Sequence, residues 1–176
     1  MPHRNSLILA LITGAMLAGC AASPSVSGPS ARANLEPTKG NGARGEVTFQ
    51  QTGAAVQVAG RISGLKPNAE HGFHVHEKGD CSSGDGMSAG GHFNPGGKGH
   101  GHHAGAERHA GDMPNLKADA NGNVEFRFDV PGITIGSGAA DIVGKGLIVH
   151  RDPDDYKTQP AGNAGPRIAC AVIARS

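Results

Sequence analysis

The sequence predicts an all-β fold, an eight-stranded antiparallel sandwich or flattened barrel with two long loops. Three observations carry this. The 176 residues include 29 Gly and 11 Pro, and each Gly inside a helix costs about 1 kcal/mol against Ala, so long helices are disfavoured. Apolar residues recur with period two, the mark of strands with one face in a core and one in water. Turn signals at Gly53, Asn121-Gly122 and Pro131-Gly132 separate the alternating runs.

In chain order, the first strand is expected over 31–37. Val47 and Phe49 mark a second, and Val56, Val58 and Ile62 a third. Further strands are expected over 71–77, 113–119, 145–151 and 167–174. The cleanest alternation is Val124, Phe126, Phe128 and Val130, separated by Glu125, Arg127 and Asp129. Segments 78–112 and 152–166 break the rhythm. Aperiodic loops of that length inside a compact domain are usually functional or disordered. Eight glycines lie between Gly90 and Asp112, so apolar packing cannot hold that stretch.

Residues 1–19 read as a secretory leader. Arg4 supplies a basic start, Leu7 to Leu17 an apolar run too short to span a membrane, and Leu17-Ala18-Gly19-Cys20 a small-residue cleavage site. That ending resembles the lipobox of bacterial lipoproteins, in which the cysteine is diacylated and becomes the first residue. Residues 20–30 are small, polar and proline-punctuated, a flexible tether ahead of a domain over 31–176. Export permits a disulfide, and lipidation of Cys20 leaves Cys81 and Cys170 as the remaining pair. Of the charged residues only Arg4 precedes Cys20, so a formal charge of +1 becomes zero in the mature chain. Nothing there favours nucleic acid or another polyanion as partner.

Nine of the ten histidines lie between residues 71 and 150. Side chains two apart on a strand share a face, so His74 and His76 project together while Phe73 and Val75 point into the core. His-x-His alone also fits histidines that bind no metal. His92, His100, His109 and Asp112 occupy one glycine-rich loop, and three imidazoles with a carboxylate suit zinc. His150 ends the apolar run Leu147-Ile148-Val149. His71 falls on the opposite strand face from His74 and reads as a hydrogen-bonded structural residue. His102 and His103 follow His100 closely enough to compete for zinc.

Five segments together resemble the Cu,Zn superoxide dismutases of bacteria. They are Gly-Phe-His-Val-His-Glu-Lys-Gly-Asp-Cys from Gly72, Ala-Gly-Gly-His-Phe-Asn-Pro from Ala89, Glu-Arg-His-Ala-Gly-Asp from Glu107, Gly-Lys-Gly-Leu-Ile-Val-His from Gly144, and Gly-Asn-Ala-Gly-Pro-Arg-Ile-Ala-Cys from Gly162. They stand in the family's order. The resemblance implies a Greek-key strand order and the conversion of superoxide to dioxygen and hydrogen peroxide by one-electron cycling of copper. By family position copper falls to His74, His76, His92 and His150, and zinc to His92, His100, His109 and Asp112, with His92 bridging. The spacing matches the family at His100 rather than at His102 or His103. Asp154 matches an aspartate linking a copper-side to a zinc-side histidine, Arg167 the arginine that attracts and orients the anion, and Cys81–Cys170 the disulfide. The loop after His150 is shorter than in eukaryotic members and lacks their charged guiding stretch. The resemblance implies a monomer or homodimer, and the lipobox-like ending at Cys20 implies a lipid anchor in the bacterial envelope. Ala21 after Cys20 favours the outer membrane, facing the periplasm.

Overall fold

The computed structural model describes Met1 and residues 28–176. The leader, Cys20 and the tether up to residue 27 lie outside the described residues. The strands are β1 (Ser30–Pro37), β2 (Arg44–Thr52), β3 (Ala55–Ser63), β4 (Glu70–His71), β5 (Phe73–His76), β6 (Leu116–Lys117), β7 (Val124–Pro131), β8 (Gly146–His150), β9 (Arg167–Val172) and β10 (Ala174–Arg175). One 3-10 turn, Met87–Ala89, is the only helical element among the described residues.

Pairing is antiparallel throughout and runs β5-β8-β9-β1-β2-β3-β7, with β10 beside β1. β1 joins two halves of a curled sheet. Its first six residues pair β2, and Glu36 and Pro37 pair β9. Alternation is explicit in β1, where Ala31, Ala33 and Leu35 are buried and their neighbours are not. Val47, Phe49, Val56, Val58, Phe73, Val75, Leu147 and Val149 complete much of the core. Phe73 and Phe126 meet edge to face at 5.5 Å, a geometry that aromatic quadrupoles favour.

Three expected strands are shortened, each because its backbone is committed elsewhere. In 113–119 only Leu116–Lys117 forms a strand, against β4. Pro114 has no N–H to give a ladder, and the Asn115 N–H donates to the Tyr156 hydroxyl at 2.8 Å. The 71–77 strand divides at Gly72, whose N–H donates to Asp152 O and whose carbonyl accepts from His150 N. A Cβ on Gly72 would sit 2.8 Å from that of Ala164, so the crossing admits no side chain. The last strand breaks at Ile173, which bonds to Lys145 O instead of the ladder.

β5 and β8 are buried along their whole length, unlike the outer strands. One face meets the core. The other lies under segments 78–112 and 152–166, and the histidines project from that covered face.

Candidate metal centre

Segment 78–112 is fastened by backbone bonds to the free edge of β5. Val75 N donates to Gly111 O, Phe93 N to Val75 O and Glu77 N to Gly91 O. These bonds form bridges that set His74 opposite Asp112 and His76 opposite His92. Cys81 is bonded to Cys170, 89 residues later, which ties the same segment to β9. On the far side of β5 an irregularity in register falls between Val149 and His150. Such bulges re-aim a side chain.

Four imidazoles converge, from His74, His76, His92 and His150, with donor atoms within 4.8 Å of one another. Each spends one ring nitrogen on an anchor. His74 Nε2 donates to Asp154 Oδ2 at 2.8 Å, His76 Nδ1 to Gly90 O at 3.0 Å, and His150 Nδ1 to Gly165 O at 3.1 Å. His92 Nδ1 faces Asp112 Oδ1 at 2.9 Å. The remaining nitrogens face inward. His76 Nε2 and His150 Nε2 approach to 3.4 Å, while His74 Nδ1 and His92 Nε2 are buried without a hydrogen-bond partner.

A second group, also within 4.8 Å, comprises His92, His100, His109 and Asp112. Asp112 Oδ1 lies 2.9 Å from His92 Nδ1, 3.1 Å from His100 Nδ1 and 3.5 Å from His109 Nδ1. Its Oδ2 accepts the backbone N–H groups of His109 and Gly101. The two groups therefore share the ring of His92, one nitrogen toward each. Asp154 joins them a second time, through His74 Nε2 at one oxygen and His100 Nε2 at the other, 2.9 Å away.

The residues fit two cations. A buried polar atom left unpaired costs about 1–3 kcal/mol, and His74 Nδ1, His92 Nε2 and His109 Nδ1 are all in that state. An ion at the centre of each group would satisfy them. Imidazole donors suit copper, and three imidazoles with a carboxylate suit zinc.

Burial governs the protonation of the first group. It pushes the His76 and His150 imidazoles well below their usual value, lowers His74 despite Asp154, and takes His92 down to about 4. These rings stay neutral, as ligands must. His100 behaves oppositely. Burial pulls it down, but the Asp112 and Asp154 carboxylates outweigh that and hold it at about 9. Burial likewise pushes Asp112 and Asp154 up, yet hydrogen bonds led by the one to His100 leave both below the usual carboxylate range.

Arg167 opens β9 opposite His150. Its guanidinium is half-buried and donates to Gly86 O and Gly90 O, each at 2.6 Å. Gly90 O is also the anchor of His76, so one carbonyl positions the cation and a metal-facing ring.

This chain matches the family described as copper/zinc superoxide dismutase (SODC) over residues 43–173. The chain belongs to the copper/zinc superoxide dismutase family. It is 44% identical over 147 residues to superoxide dismutase [Cu-Zn] 2 of Aquifex aeolicus, covering 81% of this chain and 85% of that one. A Cu-Zn superoxide dismutase of Paramecium bursaria Chlorella virus 1 is 43% identical over 136 residues, 74% of this chain and 72% of its own. Among solved structures, the clock protein EA4 superposes with a TM-score of 0.75 at 41% identity, over 82% of this chain and 93% of that one. A double mutant of a SOD-like protein from Bacillus subtilis gives 0.74 at 35% identity, over 81% and 96%.

All seven residues expected to bind metal in this member of the copper/zinc superoxide dismutase family fall in the two groups. His71 lies apart from both. Its Nδ1 donates to His150 O at 2.9 Å, the structural role expected of it. Of three neighbouring aspartates only Asp154 is buried. Asp152 pairs with Arg151, and Asp155 accepts from Lys157, Thr158 and Asn163. His102 and His103 belong to neither group. Sequence reasoning missed Gln159. Its side-chain amide clamps the backbone of His100, accepting from His100 N at 2.9 Å and donating to His100 O at 2.8 Å. It also missed Asn115, whose side chain accepts from Asp154 N and donates to Asp154 O, both at 2.9 Å. A polar residue beside a proline carries no local signal of a contact 59 residues away.

Proposed function

We infer that this protein dismutates superoxide to dioxygen and hydrogen peroxide, with His74, His76, His92 and His150 holding copper and His92, His100, His109 and Asp112 holding zinc. The observation that carries the reading is the shared ring of His92, whose two nitrogens serve the two groups. Copper, when bound, supplies a one-electron couple, and zinc supplies a fixed charge with no redox chemistry of its own.

The chain supplies the rest. Arg167 is permanently charged and offers more donors than its two carbonyl partners use, so it can attract and orient a small anion beside His76 and His150. His92 Nε2 has no partner within the fold and can hold a proton for delivery to the reduced product. Hydrogen bonds from the other rings to Asp154, Gly90 and Gly165 fix their orientation and restrict where a reacting anion fits. Every residue of both groups comes from one chain, so the chemistry is served equally by a monomer and by a homodimer.

Arg167→Ala tests the role of that cation. Losing a hydrogen bond to a charged group costs about 1.5–3 kcal/mol, or about ten- to a hundred-fold in kcat/KM for superoxide loss. A protein that merely stored copper and zinc would behave identically with and without Arg167.

The same reading places the enzyme in the bacterial envelope, cleaved before Cys20, lipidated there and held on the periplasmic face of the outer membrane. Leu17-Ala18-Gly19-Cys20 supports it, as does a disulfide between Cys81 and Cys170, a bond that persists in oxidising compartments. Residues 20–27 act as the tether, shorter than the expected 20–30, because Gly28 O and Pro29 O accept from Gln50 and Gln51 and Ser30 already opens β1; the enzyme domain runs from there to residue 176. Cys20→Ser is expected to move the protein from the membrane to the soluble fraction; retention on membranes would refute the lipid anchor.

A further inference from the structure

The chain joins the fold at one end of β1 and reaches Arg167 at the other. At the leading end, Gly28 O accepts from Gln50 Nε2 at 2.7 Å and Pro29 O from Gln51 N at 2.9 Å. Three exposed segments gather around that point. Turn 52–54 follows Gln51, whose side-chain oxygen accepts from Ile135 N at 3.1 Å and so brings loop 136–139 alongside. Ser176 N donates to Ser30 O at 3.1 Å, and the Arg175 guanidinium lies over Gly136, where a Cβ would collide with it. Segments 52–54, 136–139 and 174–176 consist of Gly, Ala, Ser and Thr with one charged side chain, that of Arg175. At the far end of β1, Thr38 Oγ1 donates to Arg167 O at 2.8 Å and Lys39 N to Gly84 O at 2.7 Å. There Lys39 and Asp85 are exposed.

We propose that the nearly uncharged leading end, with Arg175, rests on lipid headgroups, so that Arg167 faces away from the bilayer. With Cys20 lipidated, as inferred above, chain length favours this pose. From Cys20 to Gly28 the chain spans at most about 29 Å, at about 3.6 Å per residue. β1 carries it on by about 25 Å from Ser30 to Thr38, at about 3.3 Å per residue. Turning Arg167 toward the bilayer would lift Gly28 about 25 Å off the surface and hold the connecting residues near full stretch, costing entropy at each one. Resting the leading end on the surface demands no stretching. The chemistry agrees. Small uncharged residues give up little hydration against headgroups, and the planar guanidinium of Arg175 suits a lipid phosphate. Asp85, at the far end, would meet those phosphates with like charge.

The test uses the mature lipidated chain, purified from bacterial membranes and reconstituted in vesicles of phosphatidylcholine and phosphatidylglycerol that carry a headgroup-attached fluorescence acceptor. A donor dye is attached through Ala54→Cys at the leading end or Lys39→Cys at the far end, both exposed positions. Flotation comes first: a chain that does not float with the vesicles overturns the lipid reading and the pose with it. In floated protein the dye at position 54 is expected to lose most of its emission to the acceptor, while the dye at position 39 keeps most of its own. Equal losses, or the greater loss at position 39, overturn the pose and leave the lipid anchor standing. Arg175→Glu is expected to restore part of the emission at position 54; no restoration would overturn the headgroup contact. The Cys20→Ser protein is sedimented in parallel. A dimer that shields position 54 from iodide would put a second copy on this face in place of lipid, whereas a dye open to iodide leaves the face free for the bilayer.

Discussion

At the scale of single residues, the centre depends on side chains that never touch a metal. Gln159 holds the His100 backbone by two hydrogen bonds, each worth about 1 kcal/mol net. Gln159→Ala should therefore weaken zinc binding by about tenfold, measured by chelator competition, with copper content unchanged. Gly162 is equally constrained, since at φ 64° a Cβ there would collide with Asp154 Oδ1. Of the ligands, the strand period placed His74 and His76 on one face, while the full set, and His100 over His102 and His103, was legible only through the family resemblance of the five segments. Gln159, Asn115 and Tyr156 were not, since their partners lie 39 to 59 residues away and nothing in a local pattern encodes such a pairing.

At the scale of elements, segment 78–112 is organised from its ends and by its ligands rather than by a core. The small apolar cluster it shares with β8 and β9 contains Ala89, Ile148 and Cys170, with Cys81 against it, too little to order it alone. Asp112 gathers three rings and two backbone N–H groups. Asp112→Ala is expected to abolish stoichiometric zinc and to expose residues 90–112 to fast amide exchange, while β1, β2 and β3 keep their protection. Full zinc occupancy in that variant would contradict the assignment. The long strands were readable because alternation is local. The strand expected over 113–119 was not, because Asn115 binds Tyr156 and Asp154 in preference to a neighbouring strand.

At the scale of the whole molecule, the metal-free chain should be most stable near pH 6.5. His92 titrates at about 4 in the fold against about 6.5 unfolded, so its contribution is present above pH 6.5 and lost as pH falls toward 4. His74, His76 and His150 act in the same sense. His100 is raised to about 9, so its contribution is present below pH 6.5 and lost as pH rises through 9. Thermal unfolding of metal-free protein across pH 4–10 should give a maximum with both flanks. Zinc should flatten the alkaline flank by replacing the proton on His100. The double connection between the two groups has a further consequence. His92 and Asp154 close a ring of contacts, so the carboxylate fixes the spacing of the two halves independently of the shared imidazole. A framework held at two points would need little rearrangement around a bound copper ion, so the dipoles that face it stay aimed where charge would change.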